Sequence, residues 1–154
     1  MKRILIFIIA IALTVSVLGC GKKKEIINSE LASVLVNNAV FSEVLTEIDS
    51  SSAERRYLIS PKDYSEITAY VGTNGVCDEF LIVKTSNTAS MIEKLNKYLE
   101  NKRSEYEKYR PGEVGKLTAP VIAEYKDTVV MIITQDTQKA TSIYEEYLKK
   151  ILDY

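Results

Sequence analysis

The chain has no histidine and no tryptophan, and only two cysteines and three prolines among its 154 residues. Without histidine there is no imidazole to serve as general base, to activate a thiol or hydroxyl, or to ligate zinc. A Gly-x-Ser-x-Gly elbow, a Walker loop and a cysteine pair are missing too. Their absence removes the common serine and cysteine hydrolases, most phosphoryl-transfer machinery and the usual metal centres. The expectation is a non-enzymatic chain with no cofactor and no metal. Carboxylate chemistry is the remaining alternative. Asp78-Glu79 and Glu145-Glu146 are adjacent, but neighbouring acids on a strand or helix point apart and are normally solvated.

There is one long apolar run. Lys2 and Arg3 precede fifteen residues, Ile4 to Leu18, of which only Thr14 and Ser16 are polar. A spanning helix needs about 20 apolar residues, so the run fits a secretory signal better than a membrane anchor. It ends in Val17-Leu18-Gly19-Cys20, followed by Gly21, Lys22, Lys23 and Lys24. This layout resembles the bacterial lipoprotein box. Gly19 is small enough for cleavage before Cys20, and the Cys20 thiol is the expected point of lipidation. The expected organisation is a signal peptide over 1–19, a lipidated cysteine and basic tether over 20–28, and a single domain over 29–154. A diacylglycerol on Cys20 supplies two acyl chains, enough for stable anchoring where one chain holds weakly. Each nearby lysine adds about 1 kcal/mol against an anionic leaflet. The expected location is therefore the extracytoplasmic face of the cell membrane.

Charge narrows the partner classes. Losing Lys2 and Arg3 leaves 18 basic against 21 acidic residues, formally −3. No basic patch lies beyond the tether, which argues against nucleic acid. An envelope protein or a cell-wall polymer is the expected partner class. If Cys20 carries lipid, Cys77 has no disulfide partner, and a half-buried structural thiol is expected there.

Periodicity predicts an α+β fold. Ser29 caps a first helix to about Asn38, and a short second helix runs from about 52 to 57. Ser60-Pro61-Lys62-Asp63 reads as a turn. Strands follow over 64–71 and 79–85, joined by Gly72-Thr73-Asn74-Gly75. A long helix runs from Thr88 to about Tyr109, with Ser90 and Glu93 at capping-box spacing and Met91, Leu95, Tyr98 and Leu99 on its apolar stripe. Pro111-Gly112 stops it. Strands over 120–125 and 128–134 and a final helix from Thr137 complete the order. A shift of 49 residues superposes Asp78 on Asp127, Thr85 on Thr134, Thr88 on Thr137, Tyr98 on Tyr147 and Leu99 on Leu148. The expected fold is an N-terminal helix followed by β-β-α-β-β-α, an antiparallel four-stranded sheet with its helices packed on one face.

Tyrosine is abundant, at ten residues. Tyr98, Tyr144 and Tyr147 are expected to edge the core with hydroxyls in water. Tyr106 and Tyr109 lie among Lys102, Arg103, Lys108 and Arg110, which reads as a solvated charged helix end. In the loop Arg56 to Tyr64, Leu58 and Ile59 are expected to plug into the sheet.

Tyr57-Leu58-Ile59-Ser60-Pro61, the Glu79 strand leading to Lys84, Tyr109-Arg110-Pro111-Gly112-Glu113 and the final hairpin together resemble a family of small lipoprotein domains of unknown function from anaerobic Gram-positive bacteria. The resemblance covers roughly residues 28–152. It departs at Tyr125-Lys126-Asp127, where a glycine turn is expected. It implies a fold and a location and brings no catalytic residues. The functional expectation is a membrane-anchored binding or adaptor domain. The alternatives are a small solute-binding lipoprotein and, further off, a carboxylate-dependent envelope enzyme.

Overall fold

The computed structural model describes residues 24–39, 41–73 and 75–153. The expected signal peptide, Cys20 and residues 21–23 of the expected tether lie outside the described residues.

Helix α1 spans Asn28–Asn38. It begins one residue before Ser29, and no side chain caps it. Asn28 is instead buried, its amide donating to the Ile82 carbonyl at 3.3 Å. Strand β1 (Thr46–Ile48) and helix α2 (Ser50–Tyr57) follow. Asp49 caps α2, accepting from the Ser52 N–H at 2.9 Å. Strands β2 (Glu66–Val71) and β3 (Glu79–Lys84) lead into helix α3 (Thr88–Tyr109). The cap of α3 is Asn87, which accepts from the Ser90 N–H at 3.0 Å, in place of the predicted Ser90–Glu93 box. A 3₁₀ segment over Pro111–Leu117, strands β4 (Val121–Tyr125) and β5 (Thr128–Ile133), and helix α4 (Thr137–Asp153) complete the chain.

The sheet has five antiparallel strands in the order β1-β2-β3-β5-β4. The predicted four-stranded sheet lacked β1, a three-residue edge strand with no alternation to betray it. The predicted single helical face is also corrected, because helices cover both faces. On the first face α2 and α3 pack Ala53, Tyr57, Met91 and Leu95 over Leu81, Val83, Val129 and Met131. On the second, α1 and α4 pack Leu31, Leu35, Ala140 and Tyr144 over Phe80, Ile82, Val130 and Ile132. The two central strands thus bury both sides. Strands of that kind read as unbroken apolar runs, as Phe80-Leu81-Ile82-Val83 does.

The 49-residue shift maps β3 onto β5 and the start of α3 onto the start of α4. It is an odd number, so it exchanges the inward faces of the two strands, and the two helices land on opposite sides. The resemblance stops there, since β2 shifted by 49 covers 115–120, where no strand lies.

Two turns carry left-handed residues. Leu58 (φ 55°) ends α2, and Lys126 (φ 55°) takes the place of the glycine expected between β4 and β5. The turn at Leu58 exposes that side chain by 67% and buries Ile59. Only one of the pair therefore enters the core, and the expectation for Leu58 is corrected.

The predicted turn at Ser60 is a 3₁₀ turn, Pro61–Asp63, closed by a capping box. Asp63 accepts from the Ser60 N–H at 2.8 Å and from Lys94 at 2.7 Å. The hydrogen bond from Lys94, then those from Ser60, pull the Asp63 pKa from the ordinary 3.8 to about 2. A depressed folded-state pKa gives stability that is complete above the unfolded value and lost as pH falls through the folded one. Asp63→Asn should therefore cost about 1 kcal/mol near neutrality. The difference should close between pH 4 and pH 2. Urea melts of both proteins at pH 6 and pH 2 measure it, and a gap that persists at pH 2 would refute the linkage.

Candidate functional site

The segment Cys77-Asp78-Glu79, entering β3, carries the densest chemistry of the domain. Both acids point apart as expected, yet neither is solvated, and each is completely buried. Glu79 accepts from the Tyr98 hydroxyl on Oε1 at 2.5 Å. Its Oε2 takes Lys102 Nζ at 2.7 Å and Arg56 Nε and Nη2 at 2.9 and 2.5 Å. Asp78 faces another group, with Oδ2 taking Lys116 Nζ at 2.5 Å and Oδ1 accepting from the Ser42 N–H at 3.1 Å. Lys116 also reaches Glu113 Oε2 at 2.8 Å.

Cys77 joins the two groups through its backbone. Its carbonyl accepts from Lys102 at 3.3 Å, and its N–H donates to Glu113 at 2.9 Å. Three acids and three bases thus balance around one strand end, tying α2, α3 and the 3₁₀ segment to the sheet.

Burial draws the Lys102 pKa below the ordinary lysine value, against the opposing charge of Glu79. Burial works the same way on Lys116, but there the hydrogen bonds to Asp78 and Glu113 prevail and hold its pKa above the ordinary value. Burial pushes the Cys77 thiol up to about 12. A thiol with that pKa carries almost no thiolate at neutral pH and is a poor nucleophile. Cys77 is fully buried, deeper than the half-burial expected.

The tyrosines also differ from expectation. The Tyr98 hydroxyl is buried on Glu79, and the Tyr144 hydroxyl is buried with no hydrogen-bond partner. The Tyr147 hydroxyl accepts from the Ile27 N–H at 3.1 Å. At the end of α3, Lys102 is buried and Tyr106 donates to the Val76 carbonyl, while Tyr109 is 76% exposed. Arg103, Lys108, Tyr109 and Arg110 are solvated as expected, and only Lys102 and Tyr106 turn inward. Arg110 folds back over Gly75, whose φ of +83° suits glycine. A Cβ there would lie 2.6 Å from the guanidinium.

The open concavity lies elsewhere. A half-open groove of about 1170 Å³ runs between α1 and α4. Beside it Lys24 meets the end of α4, its Nζ donating to the Leu152 carbonyl at 2.5 Å. The Lys24 carbonyl accepts from the Tyr125 hydroxyl at 3.2 Å and from Lys126 Nζ at 2.6 Å. Among the described residues no group of acids and cysteines could hold a metal ion, and no helix is long and apolar enough to cross a membrane.

The buried network escaped sequence reasoning because its partners lie 19 to 23 residues from Glu79 and 36 to 38 from Asp78. One local signal existed, since Lys102 continues the apolar stripe of α3 four residues after Tyr98.

The family model of a domain of unknown function, DUF4358, matches residues 38–134. The match takes in the whole sheet, α2 and α3. It includes only the last residue of α1 and none of α4. No curated protein and no solved structure matches the chain.

Proposed function

The chain belongs to the DUF4358 family, whose function is unknown, and from that premise we propose that it is a lipid-anchored extracytoplasmic binding domain without catalytic activity. The reading joins the Cys20 lipoprotein box to one structural observation. The acids and the thiol best placed for chemistry are closed on each other inside the domain, while a groove between two helices is open. Asp78 and Glu79 are each neutralised by lysine within 2.7 Å. Both carboxylates are wholly buried, and their oxygens are taken by partners inside the domain. The groove is open along two helices, which favours a macromolecular partner over an enclosed solute.

Photo-crosslinking on intact cells, comparing wild type with Cys20→Ala and reading partners by mass spectrometry, tests this. A dominant partner that disappears in the Cys20→Ala cells supports an anchored binding domain. Unchanged localisation of Cys20→Ala would overturn the anchor, and the absence of any partner would overturn the binding role.

A further inference from the structure

The groove between α1 and α4 has an apolar floor with acidic walls. Ile27 is 49% exposed beside it, and Ile151 is half-buried on the α4 side. Glu25, Glu30 and Glu146 line it against a single base, Lys150. Glu30 and Glu146 are exposed, and among the described residues neither makes an ion pair. The two fully buried carboxylates of the domain, Asp78 and Glu79, each have a lysine against them. Here Glu30 and Glu146 flank apolar surface with no ion pair among the described residues. Two side-by-side helices leave a furrow whose natural occupant is a third helix laid along it.

From this we infer that the α1–α4 groove receives an amphipathic, cationic helix of a partner protein, with apolar residues at i, i+3, i+4 and i+7 seated on the floor and lysines or arginines against Glu30 and Glu146. The inference rests on the binding reading above and names its partner class. It excludes polyanionic wall polymers and anionic lipid headgroups from this groove, since the acids repel both. The length fits as well, for the 11 residues of α1 run about 16 Å, or three turns of a docked helix.

The test uses the full lipidated chain in neutral phosphatidylcholine nanodiscs, so that lipid charge attracts no probe. The probes are two 18-residue helical peptides with leucines at that spacing, one filled in with lysine and one with glutamate, each carrying a photoreactive leucine. Anisotropy is read against protein-free nanodiscs, and crosslinks are mapped by mass spectrometry. The lysine peptide should bind at least tenfold more tightly than the glutamate peptide and crosslink to α1 and α4. The double variant Glu30→Lys/Glu146→Lys should reverse that preference.

Equal affinities, no binding, or crosslinks outside the groove would overturn the inference, even if the double variant failed to fold. So would crosslinks between two copies through α1 and α4, which would make the groove a self-association surface. A cellular partner that crosslinks away from the groove would leave the binding reading standing and remove this one.

Discussion

Glu79→Gln should lower the unfolding free energy by about 3–5 kcal/mol, the usual cost of breaking a buried ion pair on one side. Glu79 is wholly buried and Lys102 is 5% exposed, so the lysine left behind has no water to turn to. Arg56, a third exposed, can reach solvent and contributes less to the loss. A second variant separates charge from packing. Glu79→Met with Lys102→Met removes both charges of that pair and fills similar volume, leaving only Arg56 and the Tyr98 hydroxyl without their acceptor, so it should cost less than Glu79→Gln.

The single variant also carries a pH signature. Lys102 already has a lowered pKa from burial, and Glu79 is the first charge that opposes the shift. Without Glu79 the lysine pKa falls further. The unfolded chain then binds more protons than the folded one between the two lysine values, so the stability of Glu79→Gln rises with pH up to the ordinary lysine range near 10.4. Urea denaturation at several pH values measures both effects. A loss under 1 kcal/mol, or a variant whose stability falls as pH rises toward 10, would show that the buried pair is not formed.

Residues 38–134, the extent of the family match, should not form a stable monomer when produced alone. Their removal from the chain takes away α4 and all but the end of α1, and so bares Phe80, Ile82, Val130 and Ile132 on the second face. Ile26, Leu31 and Leu35, all lost, are within 1% of complete burial. At roughly 1.5–3 kcal/mol for each buried side chain, these three alone contribute about 5–9 kcal/mol, an upper estimate. That is comparable with the whole stability of an ordinary domain, roughly 5–15 kcal/mol. Circular dichroism and light scattering should find the 38–134 fragment unfolded or aggregated. A monomeric fragment with a cooperative transition would show that the sheet is self-sufficient and that the flanking helices are accessories.

Much of this architecture is legible in the sequence. The stripes Met91-Leu95-Tyr98-Leu99 and Ala140-Ile143-Tyr144-Tyr147 place α3 and α4, because a 3.6-residue period survives any tertiary context. The runs in β3 and β5 place the central strands. The same runs signal burial on both sides, and a reading that leaves one face open passes over that. Strand β1 is illegible for a different reason. Phe41, Val44, Leu45 and Ile48 keep helical spacing, and only pairing with β2 across some two dozen residues makes Thr46–Ile48 extended. The charged cluster is hidden likewise, since an acid at 78 or 79 looks solvated until Lys102, Arg56 and Lys116 are brought to it by the fold. The groove needs both α1 and α4 in place before its walls exist, and no local pattern marks it.

The three bonds at Lys24 have a mechanical consequence. Tension arriving from the N-terminal side does not load α1 as a lone lever. It meets first a knot that joins Lys24 to the end of α4 and to the turn between β4 and β5. Load is thereby shared between α4 and the sheet edge. The helix whose departure would strip the second face is shielded until that knot gives way.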